Sequence, residues 1–217
     1  MQRPCADDCS TCNPNEQVSF DQFLDYVRPY CTECPEELMV QYVRAAAVEF
    51  ARRTLTLQRD IYVDVQAGVQ DYIIDPVDSY SIHMLRQVSF RGRDLKPMQR
   101  PPTSYMPCDA YYFERPCKIM LGPVPECDER EALLIRATVI PSQKSCEVDA
   151  HVLDYYAEDI ATGALSRLML MPETKWYSTQ QGGIMLKRWR NFLNLAKVER
   201  AKNDTAGPVY MREQRFI

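Results

Sequence analysis

The residues with the clearest ligand spacing are four cysteines near the start of the chain. Cys9-Ser10-Thr11-Cys12 and Cys31-Thr32-Glu33-Cys34 are two Cys-x-x-Cys pairs with eighteen residues between them. Four thiolates so arranged match the spacing of a tetrahedral zinc site, in which each pair grips the metal from one short turn. Three features weigh against that chemistry. Residues 19–28 between the pairs read as an amphipathic helix and not as the short ribbon such sites carry. Cys5 adds a fifth thiol to the same segment. Cys108, Cys117, Cys127 and Cys146 recur without ligand spacing, which reads as cysteine used as a small buried hydrophobe. The expectation is therefore no cofactor, with Cys9, Cys12, Cys31 and Cys34 as the zinc candidates if a structural metal is held.

Other catalytic groupings are weak. His83 alternates with Ile82 and Met84 in an extended stretch and is expected to be half exposed. His151 stands near Asp149 and Asp154 at a helix start, a poor dyad beside the reading of an ordinary surface histidine. Glu158 and Asp159 follow on the same helix as neighbouring acids on a solvated face. Gly182-Gly183 has no lysine or serine at phosphate-loop spacing. No residue is assigned a catalytic role, and the chain is read as a non-enzyme.

These residues need elements to hold them. Ser19 offers an N-cap, with Gln22 in capping-box position, for a short helix through Tyr26 that Pro29 ends. Pro35, Glu36 and Glu37 open a second helix over 35–59, with Met39, Val43, Ala46, Phe50 and Leu57 on one face. From Ile61 the period changes to that of strands: 61–65, 71–74, 77–90, 110–113, 118–121 and 132–140. Turns fall at Ala67–Gln70 and Arg91–Asp94, and the proline-rich stretch 96–109 reads as irregular. No crossover helix fits between residues 60 and 148, so the sheet is expected to be largely antiparallel. Val152, Tyr156, Ile160, Ala164, Leu168 and Met171 then mark a helix ending at Pro172. Ser178 to Gln181 cap a last helix carrying Met185, Trp189, Phe192 and Ala196.

The expected fold is α+β: a helical bundle built from N- and C-terminal helix pairs (19–59 and 149–203), with an antiparallel β insertion (60–148). A cysteine-containing arm (1–18) and a C-terminal tail (204–217) extend from it. The 217 residues suffice for a substantial core, with 46% apolar and 26% charged residues. A net charge of −4 argues against a chain built to coat nucleic acid. No apolar run has the length of a membrane span, and the segment around Asp7 and Asp8 does not read as a secretory signal, so folding in a reducing cytosol is expected. Tyr105, Tyr111, Tyr112, Phe113, Trp176 and Tyr177 supply aromatic contact material or sheet core. Val209, Tyr210, Met211, Phe216 and Ile217 put apolar groups beyond the last helix, where the tail could add to a partner's sheet edge or simply fray.

Taken in order, several stretches resemble the head-to-tail adaptor proteins of tailed bacteriophages, related to tail-tubular and head-completion proteins. They are Cys34-Pro35-Glu36-Glu37-Leu38 with Val43 to Phe50 and Arg53-Thr54; Val65 to Tyr72; Val88 to Leu95; Ile119 to Pro125; and Ala161 to Pro172 with Trp176. The resemblance spans roughly residues 19–203 and rests on order and spacing. The N-terminal cysteine arm and the 96–109 connection depart from it. It implies a structural virion protein at the head-tail junction, made in the host bacterial cytoplasm. Such a subunit forms a homo-oligomeric ring of about twelve copies, binds the portal protein and a tail or nozzle protein, and extends the channel through which genomic DNA slides without sequence-specific binding or any membrane. Mild negative charge suits that channel, because cationic walls would hold phosphates. The alternative is a zinc-stabilised module whose cysteine arm recognises nucleic acid or protein.

Overall fold

Ser19 begins the ordered helices as its residue type predicts. Its hydroxyl oxygen accepts the Asp21 N–H at 3.2 Å, one residue short of the capping-box position, and the chain winds into a 3-10 turn over Phe20–Phe23 before α1 (Leu24–Val27). This computed structural model describes residues 16–201, apart from 75, 77, 78 and 103–105. The strand β1 (Gln17–Ser19) precedes the turn. α2 runs Glu36–Thr54, with Pro35 as the residue before its first turn and its carbonyl accepting from Met39 at 3.1 Å. Two acids in the first turn and Arg52 and Arg53 in the last complement the helix dipole. Leu55 ends the helix in the left-handed region (φ 58°), five residues before the apolar spacing alone would stop it. The reason is tertiary: the Leu57 carbonyl already accepts from Val139, so the backbone is claimed by a sheet.

That sheet has the order β2 (Gln58–Val65), β9 (Glu129–Pro141), β4 (Tyr80–Phe90), β5 (Arg93–Asp94), all antiparallel, with the thirteen-residue β9 paired on both sides. A second sheet runs β3 (Asp71–Ile73), β8 (Lys118–Leu121), β7 (Ala110–Glu114), β6 (Lys96–Met98). Its β6–β7 pair is parallel, Pro97 standing opposite Tyr111, although 96–109 carried no strand pattern. The other described strand pairs are antiparallel, in line with the expectation of a largely antiparallel arrangement. The third sheet pairs β1 with β10 (Glu147–Asp149), Val18 opposite Val148. β10 leads straight into α3 (Ala150–Leu168), and α4 (Thr179–Ala201) follows. The Ser178 hydroxyl accepts from Gln181 N–H at 3.3 Å, the cap expected of that sequence.

The expected helical bundle with an inserted β domain is not what forms. The described chain is a mixed α/β structure of four helices and three sheets, and one continuous apolar core joins them. The cause lies in α2. Its buried positions (Met39, Val43, Ala46, Ala47, Phe50, Ala51 and Thr54 among them) form a stripe broad enough to serve several neighbours, and it contacts α3, α4 and β9 together. A helix shared in this way cannot close a bundle with the other helices alone. Phe50 of α2 lies 5.6 Å from Phe192 of α4 and 4.8 Å from Tyr156 of α3, ring centre to ring centre, while Leu133, Ile135, Ala137 and Val139 of β9 are fully buried in the same core.

Candidate functional site

Cys31 and Cys34 occupy the turn between α1 and α2, the Cys34 N–H donating to the Cys31 carbonyl at 3.1 Å. Both side chains are buried in the core. Burial, with the neighbouring Cys34 adding to it, pushes the Cys31 thiol up to about 11, and burial raises Cys34 as well. Cys9 and Cys12, the other half of the zinc pattern, lie outside the described residues. Among those described, no three histidine, cysteine or acidic side chains gather into a metal-holding group. The sheet cysteines correct the expectation of small buried hydrophobes: Cys108, Cys127 and Cys146 are exposed and Cys117 is half-buried. They sit on turns and bends beside strands. Labelling with a thiol reagent at neutral pH, read by peptide mapping, should therefore modify Cys108 and Cys146 first. Cys31 should lag far behind, since a two-unit rise leaves about a hundredfold less thiolate even before exclusion of reagent is counted. Equal rates would show that the α1–α2 turn opens freely.

His83 lies half-buried at an irregularity of β4, where the pairing with β9 shifts between Ile82 and Met84. Burial and the surrounding Arg115, Arg52 and Arg86 hold its imidazole below the usual range. His151 places Nδ1 3.9 Å from Asp149 Oδ2, outside hydrogen-bonding distance. Asp149 itself is fully buried and otherwise engaged. Its Oδ1 accepts the Tyr80 hydroxyl at 2.7 Å and the Arg59 guanidinium, and its own N–H donates to the Tyr80 oxygen at 2.9 Å. The Arg59 guanidinium also stands 5.4 Å from the centre of the Tyr80 ring. Burial and the adjacent carboxylate keep the Tyr80 phenol protonated. This cluster joins β2, β4 and the start of α3. Asp149 Oδ1 is committed to Arg59 and Tyr80, while Oδ2 is buried without a hydrogen-bond partner among the described residues and lies too far from His151 to orient its imidazole. Arg59 and Tyr80 carried no signal in the sequence beyond strand alternation.

The outer side of α2 forms a different surface, a groove of about 730 Å³ closed by the loop after β9 and by α3. Helical spacing puts Gln41, Ala45, Val48 and Arg52 along it. Glu49 stands at one wall and ties three helices together: it takes Arg53 at 2.9 Å, Arg167 of α3, and the Trp189 indole N–H of α4 at 3.2 Å. Arg44 donates to the Gln143 carbonyl at 3.3 Å and lies 5.8 Å from the Phe20 ring centre, with its Nε buried and unpartnered. Arg52 is exposed, and no carboxylate partners it among the described residues. Four arginines thus face one carboxylate in a chain that is acidic overall. The sequence held a trace of this groove in the 41, 45, 48, 52 spacing, a second stripe off the core side of α2.

The aromatic residues divide. Tyr111 is buried, Tyr112, Phe113 and Trp176 are half-buried, and Tyr177 is exposed, so most of the set belongs to packing; Tyr105 lies outside the described residues. Val209, Tyr210, Met211, Phe216 and Ile217 also lie outside them. No helix among the described residues is long and apolar enough to cross a membrane. No family model matches the sequence, and no curated protein is significantly similar to it.

Proposed function

We propose that this chain is a structural subunit of the head-tail junction of a tailed bacteriophage: a ring-forming adaptor that binds the portal, extends the DNA channel and receives the tail. The observation that carries the reading is the sequence order of the resembling stretches, together with where they fall. Val43 to Phe50 lie on the shared helix α2, Val65 to Tyr72 on the β2–β3 turn, Val88 to Leu95 on the β4–β5 hairpin, and Ile119 to Pro125 on β8 and the turn beyond it. Ala161, Ala164, Leu165 and Leu168 are buried in α3. Stretches that resemble one family across most of the chain are thus the ones that build and connect a single core.

The outer surface suits assembly. Tyr155 is 76% exposed, Ile73 76% and Leu195 63%, on three different elements. A subunit whose work is contact needs such groups outside. The ring has about twelve copies on this reading, and the DNA passing through it meets a mildly acidic protein. Electron microscopy of the purified protein, alone and mixed with portal protein, should show closed rings. A protein that stays monomeric in both preparations defeats the proposal. Removing Val209–Ile217 should abolish docking onto the portal with the thermal unfolding profile unchanged; retained docking would discard the tail as the contact.

A further inference from the structure

We propose that Arg52 of α2, Arg86 of β4, Arg115 of the turn between β7 and β8 and Arg200 of α4 together bind the phosphate backbone of duplex DNA. The inference goes beyond the ring reading above and does not depend on it.

Hydrogen bonds and strand pairing bring these residues together from four elements. Arg86 Nε donates to the Thr138 hydroxyl at 3.1 Å, and Thr138 of β9 stands between Gln58 of β2 and Met84 of β4, about 4.8 Å from each strand. His83, next to Met84, offers its carbonyl to Arg115 at 3.2 Å. On the β2 side, the Val139 N–H donates to the Leu57 carbonyl at 3.0 Å, which lays residues 55–58 along β9. There the Leu55 carbonyl accepts from Arg200 Nε at 3.1 Å, and Arg52 lies about one helical turn before Leu55.

The charges are held in place without being neutralised. Arg86, Arg115 and Arg200 are each fixed by a neutral oxygen. None of the four arginines forms an ion pair among the described residues, whereas Arg91 pairs with Glu129 and Arg136 with Asp60 on the same sheet. Arg52, Arg86 and Arg115 are exposed. Burial, then Arg115, Arg52 and Arg86, hold the His83 imidazole below its usual range, in keeping with an uncompensated positive field. Crowding like charges is unfavourable in the free protein, and an incoming polyanion would relieve it.

The chemistry of the cluster identifies the ligand. An arginine fork holds a phosphate through two parallel hydrogen bonds. Duplex DNA presents about one charge per 1.7 Å of its axis, so arginines spread over four elements can be met at once. An acidic protein segment is the less favoured occupant. An extended peptide rises about 3.3 Å per residue, so even an unbroken acidic run carries about half that charge density. The net charge of −4 belongs to the whole chain and does not set the field at one cluster. Backbone contacts carry no sequence preference and let a protein slide along DNA, which is compatible with DNA moving through a ring.

The test measures binding of the full-length protein to a short fluorescent duplex by anisotropy over a range of salt. Four phosphate contacts predict a slope of log K against log salt of about −3 to −4, a loss of about a hundredfold between about 50 and 200 mM. Arg86→Gln with Arg115→Gln should weaken binding about tenfold or more at low salt and reduce the slope by about 2. Arg52→Gln alone alters one exposed side chain and should reduce it by about 1, which keeps the test available if circular dichroism shows the double variant poorly folded. Arg188→Gln with Arg190→Gln changes two exposed arginines about 15 Å or more from Arg200 along α4 and should leave binding nearly unchanged. The inference is overturned if the wild-type protein does not bind, if the cluster variants bind as it does, or if the α4 pair costs as much as the cluster pair. It is overturned too if polyglutamate or inorganic phosphate at matched charge displaces the duplex as readily as unlabelled DNA does. Electron microscopy of the same proteins keeps the two readings apart. Rings without DNA binding overturn this inference alone, and arginine-dependent binding without rings overturns the ring alone.

Discussion

Replacing Asp149 by alanine is expected to destabilise the fold by about 3–5 kcal/mol, the range for removing one partner of a buried ion pair. The side chain is fully buried and Arg59 keeps only 19% of its side chain accessible, so the guanidinium left behind has little water to turn to. The Tyr80 hydroxyl loses its acceptor in the same step. Urea unfolding monitored by circular dichroism reads the loss as a lower midpoint at constant slope. Tyr80→Phe should cost less, about 1–3 kcal/mol, since it removes a neutral donor and leaves the ion pair intact. The two changes together should cost less than their sum, because both act on one network. A loss below about 1 kcal/mol for Asp149→Ala would mean that the cluster is solvated and that β2, β4 and α3 are held by packing alone.

The second large effect is expected at the crossing of α3 and α4. Trp189→Ala should cost about 3–5 kcal/mol, since a buried indole is removed and Glu49 loses one of its donors. The position is built around Gly163. A Cβ there would lie 2.8 Å from Trp189 Cδ2, far inside contact distance. Alanine is the better helix former by about 1 kcal/mol, yet Gly163→Ala should destabilise, because overpacking a full core costs about 1–3 kcal/mol. In the Trp189→Ala background the same change should turn neutral or favourable, as the methyl then enters vacated space. A double-mutant cycle by denaturant unfolding reads this as a coupling of at least about 1 kcal/mol. If Gly163→Ala stabilises the otherwise unaltered protein, the helices do not approach as closely as described.

Much of the local structure was legible. The apolar spacing of Met39, Val43, Ala46 and Phe50 marked α2, and Val152, Ile160, Ala164 and Leu168 marked α3, because side chains three and four apart share a face whatever they pack against. The turns at Gly68 and Gly92 were legible too: both take positive φ, which glycine adopts without strain. β6 was not, since Lys96-Pro97-Met98 has neither alternation nor β-branched residues and is a strand only through its pairing with β7.

What the sequence determined by itself was the helices and the strands β2, β3, β4, β7, β8 and β9, a matter of contacts a few residues apart; β1, β5, β6 and β10 are strands only through their pairing. Tertiary structure alone decided which elements share a core and which charges meet. Asp149 finds Arg59 across 90 residues, Glu49 finds Arg167 across 118, and Trp189 reaches Glu49 across 140. Periodicity carries no information over such separations. The choice is made by burial, which brings α2 against α3, α4 and β9 together and so turns an expected bundle with an insertion into one mixed α/β core.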